Sequence, residues 1–236
     1  EGVKRLSSRA FENCTSLDSV KIPSSVESID YNAFYGCSNL KSVIISEGVK
    51  RLSSGAFENC TSLDSVKIPS SVESIGDLAF SSCTSLKSVI ISEGVKSIGN
   101  TAFSSCTSLK SVTISEGVES IGGSAFENCI SLESVMIPGS VENIWYAAFK
   151  DCTNLKSVTI SEGVKSIIGS AFENCTSLES VTIPSSVESI DDRAFYICSN
   201  LKSVIISEGV KRLSSRAFEN CTSLDSVKIP SSVESI

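Results

Sequence analysis

Apolar and polar residues recur along this chain in a fixed order with a period of 23 positions. In the first unit Val3, Leu6, Ala10, Phe11, Cys14, Leu17, Val20 and Ile22 are apolar or small. The equivalent positions keep that character in every later unit, the sole exchange being Leu for Ile at the second, as in Ile29 and Ile98. A period of about 20–50 residues marks stacked copies of one small unit that cannot bury its apolar face alone. These eight positions are therefore the predicted core, and the ten phenylalanines, Phe11 through Phe218, are predicted to stack as a continuous spine.

Alternation within Ser19-Val20-x-Ile22 predicts a strand, with Val20 and Ile22 inward and Ser19, residue 21 and residue 23 outward. One such rung per unit builds a parallel sheet, and rungs about 4.8 Å apart extend the array to roughly 48 Å. The segment that follows, Ile-Pro-Ser-Ser-Val or Ile-Ser-Glu-Gly-Val, has turn chemistry. Val-x-x-Ile/Leu and Ala-Phe then return the chain through irregular or short helical turns. Ten full units, residues 1–23 to 208–230, precede a partial eleventh from Ser231 to Ile236, and no linker interrupts them. The expectation is one elongated domain, 1–236. Without a starting Met or a polar capping unit, the chain reads as a segment of a longer protein. Residues 1–29 are identical to 208–236, an offset of nine periods, which points to recent duplication or a deliberately periodic design.

Leu17, Val20 and Ile22 reproduce the L-x-x-L-x-L spacing of leucine-rich repeats. The fuller pattern I-P-x-S-V-x-x-I-x-x-x-A-F-x-x-C-x-x-L-x-S-V, carried by Pro23, Ser25, Val26, Ile29, Ala33, Phe34, Cys37 and Leu40, resembles the BspA-like, or Treponema pallidum type, leucine-rich repeats. The resemblance covers the whole chain. It implies a leucine-rich-repeat solenoid, a right-handed β-solenoid-like superhelix with one parallel sheet. It also implies a surface-exposed or secreted protein used for attachment to host proteins, cells or other microbes. After the strand, where related repeats carry Asn, this chain has Ser25 or Gly48, so an asparagine ladder is not expected there.

Charge and composition narrow the function classes. Twenty basic against 27 acidic residues, a net charge of −7, do not supply the basic cluster that nucleic acid needs. No apolar run approaches the roughly 20 residues of a membrane span. Histidine is absent, which removes Ser-His-Asp and Cys-His catalysis and the commonest metal ligand. No catalytic residue, cofactor or metal site is expected. The ten cysteines, each 23 residues from the next, lack C-x-x-C spacing and read as a buried ladder of mostly free thiols. Asn13, Asn59, Asn174 and Asn220 open Asn-Cys-Thr sequons, which a eukaryotic secretory pathway is able to glycosylate, or which arise simply because Asn precedes the ladder cysteine.

Charges also alternate from unit to unit. The fourth position runs Lys4, Glu27, Lys50, Glu73, Lys96, Glu119, is interrupted at Glu142, and resumes with Lys165, Glu188, Lys211 and Glu234. Asp18, Lys41, Asp64 and Lys87 alternate likewise, and Pro23 alternates with Ser46, so the duplicated unit is 46 residues. These rows read as structural.

Candidate binding residues are those that vary between units. The stripe at position 21 comprises Lys21, Ile44, Lys67, Ile90, Thr113, Met136, Thr159, Thr182, Ile205 and Lys228, beside an unbroken row of serines. Outside the repeated core lie Tyr31, Tyr35, Trp145, Tyr146 and Tyr196, expected to be at least partly exposed and of the types enriched in interface hot spots. Each group has a plain alternative: an ordinary solvated β face, and drift at unconstrained loop positions. The leading functional reading is a non-enzymatic binding or adhesion module whose partner is an extracellular host or microbial protein or glycan. A filament built by end-to-end self-association, or a passive spacer, stands as the alternative.

Overall fold

A computed structural model describes residues 2–236. The chain winds as ten stacked coils of 23 residues, numbered here from coil 1 (1–23) to coil 10 (208–230). Each coil contributes a strand to a broad parallel sheet, from Ser19–Ile22 in coil 1 to Ser226–Lys228 in coil 10. Register is fixed one coil to the next, Val20 opposite Val43 and Ile22 opposite Ile45. Along these strands exposure alternates as predicted, the serine and residue 21 outward, Val and Ile inward. The inward rows meet Val26, Ile29, Ala33, Phe34, Cys37, Leu40 and their equivalents in one continuous core.

Two features of the return path differ from expectation. A second parallel sheet is present, narrow, made of ten two-residue strands from Arg5–Leu6 to Arg212–Leu213. The motif Val-x-Ser-Ile disguises it, because with two residues per rung no alternation is visible in sequence. No short helices form among the described residues. Instead, N–H groups in the Ala-Phe segment alternate in destination. Ala33, Tyr35 and Cys37 donate within their own coil, to Asp30, Asn32 and Phe34, whereas Asn32, Phe34 and Gly36 donate forward to Ser54, Ala56 and Glu58 of the next coil. A helix needs every N–H to close locally. Here every second one is taken by the neighbouring coil, and the result is a chain of tight turns.

That pattern imposes a left-handed backbone at the ninth and thirteenth positions of every coil. Asn32, Gly55, Leu78 and Thr101 hold the ninth, and Asn13, Gly36, Asn59 and Ile197 the thirteenth, all with φ between 53° and 68°. At the twenty-third position Pro23 is exposed as predicted, but its later counterparts Pro69, Pro138, Pro184 and Pro230 are buried, because the proline carbonyl already accepts the N–H of Val72, Val141, Val187 or Val233 and the chain is turning away from the strand.

The phenylalanine spine is present throughout, with ring centroids 5.0–5.4 Å apart and planes within 11°. The cysteines form the predicted ladder of free thiols, buried from Cys37 to Cys221. Charge alternation places opposite signs face to face, Lys4 with Glu27 at 3.2 Å and Lys87 with Asp64 at 2.6 Å. Such exposed pairs contribute about 0.2–1 kcal/mol each.

Candidate binding surfaces

All ten residues of the position 21 stripe lie on the outward face of the broad sheet, in register from coil to coil. Ile44, Ile90, Met136 and Ile205 are 55%, 46%, 60% and 57% exposed, whereas the inward Val and Ile of the same strands are buried. Two grooves flank this face between coils 2 and 5. One, of about 300 Å³, is lined by Ile44, Glu47, Lys67 and Pro69 and continues into a second volume of about 380 Å³ along Ile90, Ser92, Glu93 and Ser115. On the opposite margin Lys41, Asp64 and Lys87, with Ser62, Ser85 and Ser108, line a groove of about 540 Å³. The stripe was legible in the sequence; Glu47 and Glu93 were not singled out, and Lys41, Asp64 and Lys87 were read only as an alternating structural row.

Glu47 has a local task. Its carboxylate accepts from the backbone N–H and hydroxyl of Ser70, 3.3 and 3.1 Å, and from the N–H of Ser71, 2.9 Å. Ser71 in turn takes the N–H of Gly48 and donates to the Val49 carbonyl. The same lock recurs between Glu162 and Ser185–Ser186 and between Glu208 and Ser231–Ser232. This is the physical content of the 46-residue rhythm: a Glu-Gly turn on one coil is completed by a Ser-Ser turn on the next. Hydrogen bonds from Ser185 and Ser231 hold the Glu162 and Glu208 carboxyls below their ordinary value.

The aromatic candidates are at least partly exposed, as predicted, but the fold does not gather them. Tyr31 and Tyr35 sit on coil 2, Trp145 and Tyr146 on coil 7, Tyr196 on coil 9, all on the turn side rather than on the broad sheet. Arg9 lies over the Tyr31 ring at 5.6 Å and Arg193 over Tyr196 at 5.4 Å, so these two rings already have cationic partners. Trp145 and Tyr146 are 45% and 57% exposed. Beside them the Lys150 ammonium meets the Glu173 carboxylate at 3.0 Å, a contact that raises the lysine above its ordinary value.

Asn recurs at the thirteenth position because it tolerates a left-handed backbone better than most residues. The four sequons follow from that turn, and in Asn174 the amide nitrogen donates to Asp151 at 2.8 Å.

Each buried cysteine donates its thiol to a phenylalanine carbonyl of an earlier coil, Cys60 to Phe34 at 3.3 Å and Cys106 to Phe80 at 3.2 Å. Burial pushes Cys106 up to about 12 and Cys83, Cys129 and Cys175 well above the ordinary thiol value, so none is poised as a nucleophile at neutral pH.

Coils of this geometry, with this apolar register and a varied outward row, define a leucine-rich repeat array. The description of the BspA type leucine rich repeat region matches residues 4–133 and 119–236 in six copies, and the chain belongs to that family. Among solved structures it is similar to a leucine-rich repeat protein from Bacteroides ovatus, with 28% identity and a TM-score of 0.71 over 97% of this chain and 70% of that one. It is also similar to the T. pallidum leucine rich repeat protein, with 26% identity and a TM-score of 0.53 over 89% of this chain and 78% of the other. No curated protein matches it. Repeats of this family are generally protein-interaction modules and typically non-enzymatic.

Proposed function

We propose that this array is the binding region of a cell-surface or secreted adhesin and engages an extracellular host or microbial macromolecule through the outward face of the broad sheet. The observation that carries this reading is the row Ile44, Ile90, Met136, Ile205, four large apolar side chains left in water on a face whose other apolar residues are all inward. Their exposure has no structural purpose within the coil. Between them Lys67, Thr113, Thr159 and Thr182 add hydrogen-bonding groups, and the grooves along Glu47, Glu93 and Asp64 supply a polar margin. An apolar centre with a polar rim is the usual anatomy of a protein interface. Membership of the BspA-type family supports the surface location.

The test is surface plasmon resonance against a panel of purified extracellular matrix proteins and epithelial surface proteins, comparing the native chain with Ile44→Ser/Ile90→Ser/Met136→Ser. At least one partner should bind, and the triple variant should lose about tenfold or more in affinity, or 1.4 kcal/mol. Absence of any partner, or unaltered affinity in the variant, would remove the sheet face from consideration.

A further inference from the structure

Trp145 and Tyr146 occupy the seventh and eighth positions of coil 7, and the eighth position is bare on both flanking coils, Gly123 before and Gly169 after, while the seventh is Gly122 before and Ile168 after. The eighth position from coil 5 to coil 9 reads Asn100, Gly123, Tyr146, Gly169, Asp192. Polar, open, aromatic, open, polar: the row is symmetric about Tyr146. Main-chain bonds hold it coil to coil, Thr101 to the Gly123 carbonyl at 2.9 Å, Ser124 to Tyr146 at 2.9 Å, Ala147 to Gly169 at 3.1 Å and Ser170 to Asp192 at 3.0 Å. A β-carbon placed on Gly169 would lie 3.9 Å from Tyr146 Cδ2, so the edge of the tyrosine ring sits beside backbone that carries no side chain.

Spacing and charge identify the ligand class. At this level successive coils advance by the separation of their phenylalanines, 5.3 Å from Phe126 to Phe149 and 5.4 Å from Phe149 to Phe172. An extended polypeptide advances about 3.3 Å per residue and falls out of step with such a row at once. An extended chain of pyranose rings advances per sugar by nearly the distance of one coil. Lys150, the cation beside Tyr146, is already answered by Glu173 at 3.0 Å, and the exposed Asp192 has only Arg193 beside it at 3.9 Å, so the row offers nothing that would hold an anion. At one end of the row Asn100 accepts from the Gly123 N–H at 2.8 Å with its side-chain oxygen, leaving the amide nitrogen to donate. At the other, the exposed Asp192 carboxylate accepts.

We propose that the eighth-position row of coils 5 to 9 binds a neutral, linear oligosaccharide lying along the array axis, one sugar per coil. The central sugar stacks on Tyr146 with Trp145 beside it, and Asn100 and Asp192 take hydroxyls two coils away on either side. The assignment rests on the reading of the array as a binding module, yet it uses a different side of the coil from the broad sheet.

Trp145 is the only tryptophan of the chain, so its emission reports on this site alone. The probes are β-1,4-linked hexamers of glucose, N-acetylglucosamine and mannose, each with its dimer, followed by Trp145 fluorescence and by calorimetry. At least one hexamer is expected to shift the emission saturably and to bind about tenfold more tightly than its dimer, because the row spans five coils. Tyr146→Ala should weaken that hexamer about tenfold with far-UV circular dichroism unchanged, and Ile44→Ser/Ile90→Ser should leave it unaltered. No response to any hexamer at millimolar concentration, a dimer as tight as its hexamer, or full binding by Tyr146→Ala would overturn the assignment. None of these outcomes touches protein capture by the sheet face, which Ile44→Ser/Ile90→Ser/Met136→Ser tests separately.

Discussion

The thiol of Cys83 donates to the main-chain oxygen of Phe57, 3.2 Å away and 26 residues earlier in the chain. The same oxygen accepts the N–H of Cys60, also at 3.2 Å. One carbonyl thus closes the turn of its own coil and tethers the next, and the cysteine is small enough to sit beneath the phenylalanine spine while still offering a donor. Repeated along the array, this contact adds to the main-chain bonds that already tie the turn side together from coil to coil.

Alkylation should follow burial. Native protein treated with iodoacetamide at neutral pH is expected to label Cys14, which is exposed, while the thiols from Cys37 to Cys198 react only after denaturation. Peptide mass spectrometry at increasing urea reads the result; uniform labelling of the folded chain would contradict the ladder.

The same thiols predict alkaline sensitivity. Folding raises Cys106 from 9.0 to about 12 and shifts Cys83, Cys129 and Cys175 upward as well. A raised value means the stabilisation is complete below about pH 9, where both states hold the proton, and fades above it as the unfolded chain ionises. Urea midpoints should therefore fall steeply from about pH 9 upward, and Cys83→Ala/Cys106→Ala should flatten that slope.

At the acid end the sign reverses. Glu162 is held below its ordinary 4.5 by bonds from Ser185 and Ser186. Its contribution is present above about pH 4.5 and lost as pH falls through the lower folded value. Glu162→Gln should lower the urea midpoint at pH 7, and the gap from the native chain should close on acidification.

Removing a spine ring tests the packing. Phe126 stacks on Phe103 and Phe149, both 5.3 Å away, in the middle of the array. Phe126→Ala should cost about 3–5 kcal/mol and, because each coil contacts only its neighbours, divide the unfolding curve into two transitions.

Backbone strain offers the opposite effect. Ile197 and Leu78 hold φ of 60° and 59°, where β-branched and bulky residues are disfavoured by about 1–2 kcal/mol. Ile197→Asn and Leu78→Asn should each raise stability by about 1 kcal/mol, seen as a higher melting temperature.

What could be read directly was whatever the period itself carries. Eight positions of constant character locate the core, and the alternation of Ser19, Val20, residue 21 and Ile22 assigns each side chain to a face. The exposure of Ile44, Met136 and Trp145 could be anticipated because each stands outside the constant positions. The narrow sheet escaped notice, since Ser28–Ile29 is too short to show alternation. The buried prolines escaped it too, because the outward prediction for residue 23 assumed that the strand continues one residue further than it does.

Sequence alone determined the coil, its length, its core and its outward rows, because stacking identical units forces equivalent residues into register and only apolar residues tolerate that position. The tertiary structure decided what one coil does to the next. The alternating destination of N–H groups between Asn32 and Cys37, the left-handed turns at Leu78 and Ile197, and the lock from Glu47 to Ser70 and Ser71 all join residues on neighbouring coils. Those contacts depend on the distance and direction between coils, which a linear pattern of apolar and polar residues does not contain.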